Sequence, residues 1–437
     1  MRTTTIVKGD KKTINAWIFY DWANSVYPLV ITTAIFPIYY EGATEAIGGK
    51  IEVFGYEFIN TELINYVGAL SFLIVSIVSP FLSGIADYAG HKKTFLKFFC
   101  YLGALSCIGL YFFDVEHPIF GLTCYLFASV GFWGSLVFYN SYLPEIAEPA
   151  EHDAISAKGF SMGYIGSVIL LLISLAITLG HESLGLAEGE AAKMSFILTG
   201  IWWIGFSQIT YRRLPNVKTG VKVKGKLLLN GYRELYKTFK GLEHTKRLKR
   251  YLRAFFVYSM GVQTVMLAAV YFAAKEVAWA EGEKTQGLIV SMLLIQFLGV
   301  AGAQLLAKVS GKIGNLNALK IVVGFWAALC VVGYFVETPL QFYIIAAFVG
   351  LVMGAIQALS RSTYSKFLPP NTQDTASYFS FYDVSEKIGL IIGLFVFGYI
   401  EGITGSIRSS ILALIVFFII GFLLLMMVPK EESVVDN

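Results

Sequence analysis

The chain has 437 residues, of which 56% are hydrophobic and only 15% charged, with a formal net charge of +4. Its mean hydropathy is +0.64. A soluble domain carries about 25% charged residues. So much apolar surface cannot be hidden in water, which excludes an ordinary soluble enzyme and points to a bilayer as the solvent. The four cysteines (Cys100, Cys107, Cys124, Cys330) all lie in apolar runs, with no CxxC pair, and the histidines show no metal-ligand spacing. Neither a zinc site nor a disulfide framework is suggested.

A spanning helix needs about 20 mostly apolar residues. Twelve such runs are expected, over 16–40, 63–83, 95–113, 117–142, 159–180, 194–211, 254–274, 286–307, 317–336, 340–362, 376–400 and 407–428. The runs are too long for barrel strands. Residues 1–15 are polar and basic, and no small-residue cleavage site follows a short apolar core, so the first run is read as a membrane helix rather than a cleaved signal.

Charge then orients the chain. Arg2, Lys8, Lys11 and Lys12 precede the first run, Lys92, Lys93 and Lys97 follow the second, and fourteen Lys/Arg lie between Arg212 and Arg253. The alternate loops are acidic, with Glu41, Glu45, Glu52, Glu57 and Glu62 in the first and Asp114 and Glu116 in the third. Positive charge stays on the cytoplasmic side, so both termini are expected inside. Residues 143–158 should share that side yet carry Glu145, Glu148, Glu151 and Asp153. Acids weigh little in the rule, and the topology stands.

The basic loop splits the runs six and six, giving expected domains 1–213 and 253–437 joined by a linker, 214–252. Within the linker, Leu228, Tyr232, Leu235, Phe239 and Leu242 recur at helical spacing. That is an amphipathic helix for the inner membrane surface, its basic face toward anionic lipid, or simply a connector. The halves echo each other. "SGIADYAGHKK" (83–93) and "AKVSGKIGN" (307–315) follow the second run of each half, and superposing Gly90 on Gly314 sets Gly311 opposite Asp87. Two related bundles are the parallel-repeat plan of secondary transporters.

Asp87, Gly90 and Lys92 resemble the cytoplasmic loop motif of the major facilitator superfamily, although Ser83, Tyr88 and His91 depart from it. "YDWANS" (20–25), "YNSYLPEIAEP" (139–149), "SAKGFSMGY" (156–164), "QALSRS" (357–362) and "FYDVSEKIG" (381–389) are similar to the UMF1 family. These are the bacterial relatives of the fungal autophagy-related vacuolar amino-acid effluxers. The resemblance runs from the first helix to the last. It implies an all-α alternating-access transporter of twelve membrane helices in which helices one, four, seven and ten line a central cavity. It also implies that Asp87, with Gly90 and Lys92, latches one state at the cytoplasmic face. The alternative for Asp87 is a solvated acid that ends its helix.

Helix eleven holds the densest intramembrane charge: Asp383, Glu386 and Lys387. Lys387 lies roughly 16–18 Å into it, near the midplane, where an ionisable group is expensive and faces protein or a water-filled cavity. Asp383 and Lys387, at i and i+4, can pair on one face. Glu386 is then left over, and a carboxylate in low dielectric favours its protonated form. This makes Glu386, with Asp383, a candidate proton-coupling site, and Lys387 its partner or a ligand for a substrate carboxylate. The competing reading is a structural ion pair.

Asn24 and Tyr27 of helix one, Trp133 and Asn140 of helix four, Tyr258 and Gln263 of helix seven and Gln357 of helix ten are candidates for orienting a polar solute. Aromatic belts and amides joining helices are the alternatives. Asp21 sits roughly 7–8 Å into helix one, an inner-gate or interfacial residue with Arg361 and the basic N-terminal segment as possible partners. Arg361 is expected to snorkel to the interface, or else to bind an anionic group. Gly350 and Gly354, and Gly389 and Gly393, form small faces at i and i+4 that favour close helix approach.

No Walker loop, HExxH or GxSxG motif appears. The sequence therefore reads as a multi-pass inner-membrane transporter, not an enzyme, moving a small polar or amphiphilic solute such as an amino acid or short peptide. A proton is the expected coupling ion, and a monomer without cofactor or nucleic-acid partner is expected. A drug or metabolite efflux pump and a transporter-like sensor or scaffold are the alternatives.

Overall fold

A computed structural model describes residues 7–216 and 227–431. Arg2 and the linker lysines 218, 222, 224 and 226 lie outside the described residues, as does the side chain of Leu228. In chain order the elements are α1 (Lys11–Asn24), a π-helical segment (Tyr27–Ala34), α2 (Ile35–Glu45), strands β1 (Lys50–Val53) and β2 (Tyr56–Ile59), α3 (Asn60–Ala89), α4 (Lys92–Gly109), α5 (Pro118–Asn140) and the single turn α6 (Leu143–Ile146). There follow α7 (His152–Leu179), α8 (Glu188–Arg213), α9 (Leu227–His244), α10 (Lys246–Glu276), α11 (Lys284–Ile313), α12 (Asn315–Tyr334), α13 (Pro339–Phe367), α14 (Thr375–Thr404), α15 (Ile407–Ala413) and α16 (Ile415–Met426).

Among the described residues, ten helices are long and apolar enough to cross a membrane. The two remaining runs are helical as well: 194–211 lies inside α8, and 16–40 is divided among α1, the π segment and α2. The division is a departure from the single helix expected there, and Pro28 explains it. Proline has no N–H to give and its ring displaces the preceding turn. The backbone widens into a π-helix, and the Thr33 hydroxyl donates to the Pro28 carbonyl at 2.8 Å. Upstream, Asp10 caps α1: its carboxylate accepts from the Thr13 amide at 3.0 Å and hydroxyl at 2.6 Å. Those bonds hold the Asp10 carboxyl below its usual range.

The first acid-rich loop contains a hairpin that was not expected. β1 and β2 pair antiparallel with Val53 opposite Tyr56. The two-residue turn places Phe54 at φ 54° and Gly55 at φ 82°, the positive-φ pair that a tight hairpin turn requires.

By contacts the chain divides into two compact units: Met1–Tyr142 with Met162–Gly231, and Leu143–Ser161 with Tyr232–Asn437. In the first, Gly131 of α5 lies so close to Gly103 of α4 that a side chain would strike the backbone. Trp17 stacks on Tyr139 with centroids 4.5 Å apart and donates its indole N–H to the Tyr139 carbonyl at 2.8 Å. In the second unit, Gly350 and Gly354 of α13 lie against the backbone of Ile295 and Gly299 of α11. Small residues let two helices approach to backbone distance where lipid supplies no hydrophobic drive. Ala157, at the start of α7, packs with Ala303 and Ala358 of that pair.

The linker helix forms as expected, but its orientation differs. Thr238 and Leu242 are buried and Leu235 half-buried, while Tyr232, Tyr236 and Phe239 are exposed. The smaller side chains allow closer packing, and the rings stay outside beside Arg233, Lys237 and Lys240. Glu234 accepts from Lys237 at 2.7 Å and, with desolvation opposing it, holds that ammonium above its usual range.

Candidate functional site

A polar cluster of the second unit lies where α14 crosses α10. Gly393 has no Cβ, and one placed there would meet the Met260 backbone and the Thr264 hydroxyl. The close crossing sets Gln263 of α10 opposite Glu386 of α14. Lys387, only 1% exposed, donates to Asp383 Oδ1 at 3.1 Å and to Glu386 Oε2 at 2.9 Å. Gln263 Nε2 donates to Glu386 Oε1 at 2.7 Å.

This overturns the expectation that Glu386 is the acid left over. A lysine stem is long enough to place Nζ between carboxylates at i−4 and i−1, so it serves both. Glu386 is satisfied at both oxygens. The atom without a partner is Asp383 Oδ2, which is buried and accepts nothing.

On α10, the Tyr258 hydroxyl bonds the Ser360 hydroxyl at 2.8 Å and that of Tyr251 at 3.2 Å. Gln357 is half-buried, its amide 4.0 Å from the Met266 sulfur. Arg361 does not snorkel. It is 3% exposed, its guanidinium 4.1 Å over the Phe160 ring. It donates to the Ser156 hydroxyl at 2.9 Å and carbonyl at 3.0 Å. Stacking on a ring and bonding a helix terminus give the weakly hydrated guanidinium enough partners to remain inside.

The other candidates belong to the first unit and do not gather in one place. Asp21 is buried and accepts from the Tyr139 hydroxyl at 2.8 Å. Asn24, one turn on, is 1% exposed, and its Nδ2 has no partner. Tyr27 packs 5.1 Å from Phe132 and 6.0 Å from Trp203. Trp133 lies against Phe132 at 4.9 Å and Phe72 at 6.0 Å, and Asn140 is half-buried at the end of α5. Asp87 and Lys92 form a buried ion pair at 3.0 Å across the turn made by Gly90, whose φ is 67°.

One cluster went unnoticed in the sequence. Asp153 Oδ2 accepts from Lys366 Nζ at 2.6 Å and from the Ser310 hydroxyl at 2.9 Å. Its Oδ1 accepts from Asn315 Nδ2 at 2.7 Å. The start of α7 is thus tied to the α11–α12 turn and the end of α13. That turn is the degenerate copy of the Asp87 loop, again built on a positive-φ glycine, Gly314. It lacks its own acid, and Asp153 supplies one. Glu145, of the same acidic stretch, accepts from the Thr375 hydroxyl at 2.8 Å. The signal was present: acids placed where the charge rule calls for bases.

The family model described as "Vacuole effluxer Atg22 like" matches residues 9–437. The chain belongs to the Atg22-like vacuole effluxer family. This places it among the transporters of the major facilitator superfamily, in agreement with the resemblance read from the motifs. It is 31% identical over 430 residues to the "Uncharacterized MFS-type transporter YxiO" of Bacillus subtilis, covering 98% of this chain and 97% of that one. It is 23% identical to autophagy-related protein 22 of Yarrowia lipolytica, covering 88% and 78%. The fold is similar to that of the E. coli fucose:proton symporter FucP, a major facilitator transporter, with a TM-score of 0.67 at 15% identity over 96% of this chain and 98% of that one. This member of the Atg22-like family is therefore a multi-pass membrane transporter.

Proposed function

We propose that this Atg22-like chain is an alternating-access secondary transporter that uses the proton gradient, with Asp383, Glu386 and Lys387 of α14 as the coupling site. One observation carries the reading: two carboxylates share one buried ammonium, and one carboxylate oxygen is left without a donor. Buried acids within membrane segments mark ion pathways and proton relays.

The solute is small and polar or amphiphilic, an amino acid or short peptide. Within the second unit, Tyr258, Gln263 and Gln357 orient it, with Lys387 holding the charge balance; in the first unit, Asn24, Tyr27, Trp133 and Asn140 are the candidates for polar contact. The chain has twelve membrane helices in two bundles, 1–213 and 253–437, with both termini cytoplasmic in the plasma membrane, and works as a monomer. Asp21, Arg361 and the Asp87–Gly90–Lys92 turn act as cytoplasmic gates. The exposed rings and lysines of α9 rest on anionic lipid.

The test has two stages. A thermal-shift screen of the purified protein against metabolites finds the solute, because a ligand of the folded state raises apparent stability. Flux of that solute is then measured in proteoliposomes with and without an imposed pH gradient. Asp383→Asn and Glu386→Gln should each abolish acceleration by the gradient. Full gradient-driven flux in both variants would refute proton coupling at this site. Ligand binding with no flux would favour the sensor reading.

A further inference from the structure

The cluster also says what kind of solute it serves. Count its charges and donors within the second unit. Asp383 and Glu386 face one ammonium, Lys387, and one neutral amide, Gln263. Three donor contacts reach four carboxylate oxygens, and the one left out, Asp383 Oδ2, belongs to a residue only 6% exposed. Buried polar atoms almost always find a partner, and an acceptor without one costs about 1–3 kcal/mol, more when charged. Among the described residues, no other group bonds this oxygen. On α14 the adjacent phenol is Tyr382, whose ring stacks on Phe255 at 4.1 Å. From α10 the facing groups are Gln263, committed to Glu386, and Tyr258, committed to Ser360 and Tyr251. From α13 comes Arg361, committed to Ser156. Other charged groups on or beside α14 are engaged elsewhere: Lys275 bonds Glu401, Arg408 bonds Glu276, Lys237 lies 3.5 Å from Asp374, Arg247 lies 3.8 Å over the Phe367 ring, Arg250 donates to the Met427 carbonyl and Glu145 accepts from Thr375.

We infer that the missing donor is the protonated amino group of the transported solute, which docks on Asp383 Oδ2 and competes with the proton for that carboxylate. This rests on the proton-coupled reading of the same site and gives it a substrate class and a direction. Docking of the solute on this cluster through a carboxylate is disfavoured because Lys387 is already held by two carboxylates, and a third would add negative charge to a site with one too many. A bare metal ion is disfavoured because hard cations want six or more oxygens, and among the described residues no group of three acids or histidines could hold one. An ammonium group needs only a few directed acceptors and brings the one positive charge the site lacks. Because proton and amine cannot occupy the same oxygen together, each displaces the other. The transporter therefore exchanges amines for protons.

The full-length protein in detergent tests this with dicyclohexylcarbodiimide, which adds to protonated buried carboxyls, the modified residue being located by mass spectrometry. Labelling of Asp383 is expected to rise as pH falls. A mixture of the common L-amino acids and short alkylamines should suppress it, whereas the same mixture N-acetylated should not. Protection should weaken about tenfold per pH unit once the carboxyl is protonated, as for any two ligands of one site. If Asp383 is labelled with that pH dependence but the amines give no more protection than their acetylated forms, the amine inference is overturned while proton coupling stands. If Asp383 is not labelled at any pH, both fall. The wild-type chain suffices for each arm, so the result does not depend on a variant folding.

Discussion

Two of the buried lysine–aspartate pairs among the described residues, both in the second unit, are built differently. Asp153 takes three donors on its two oxygens, from Lys366, Ser310 and Asn315, and these come from three helices other than its own. Asp383 takes one, from a lysine on its own helix, and leaves an oxygen empty. A fully satisfied buried pair joins elements together. An incompletely satisfied one retains a vacancy, and a vacancy in a buried charge cluster is where a proton or a cationic group can be taken up and released. The contrast teaches that a buried ion pair is not by its existence either structural or functional. The inventory of its donors separates the two.

That contrast can be broken by substitution. The largest stability effect is expected for Asp153→Ala, which leaves Lys366 largely buried without its carboxylate. Removing one partner of such a pair costs about 3–5 kcal/mol, visible as a fall in the unfolding temperature of the purified protein. A change near zero would mean the pair joins nothing. Next is Gln263→Leu, which strips one donor from Glu386. A hydrogen bond to a charged group contributes about 1.5–3 kcal/mol, and this variant should also weaken dependence of flux on the pH gradient. Ser310→Ala should cost less, about 0.5–1.5 kcal/mol, because Lys366 still bonds the same oxygen. The smallest change in stability, within about 1 kcal/mol, is expected for Asp383→Asn, since the amide oxygen still accepts from Lys387 and one excess charge is removed. Yet this variant should lose gradient-driven transport. If it instead unfolds as readily as Asp153→Ala, the two clusters are the same kind of object.

Much of the architecture was legible because bilayer physics writes itself into composition. Ten of the expected runs became helices long enough to span. The broken first helix was legible too, in Pro28, but apolar length alone hides a proline that the hydropathy pattern tolerates. The hairpin at 50–59 is too short, and too rich in acids at Glu52 and Glu57, for its alternation to stand out in the sequence. On α9 the periodicity correctly located a helix, but periodicity does not say which of two apolar flanks packs. Packing went to Thr238 and Leu242, leaving Tyr232 and Phe239 outside.

At the site, the motif "FYDVSEKIG" was enough to place three ionisable groups near the middle of a membrane helix and to show that one acid would exceed the available base. Helical spacing paired Lys387 with Asp383 and left Glu386 over, with Lys387 as one possible partner for it. Only the tertiary structure could decide otherwise, because the deciding donor, Gln263, comes from another helix brought close by Gly393. The same holds for Asp153, whose partners lie more than 150 residues away in the chain. The number and sign of the buried charges are local properties of a sequence. Which oxygen goes unsatisfied is a property of every helix that packs around it.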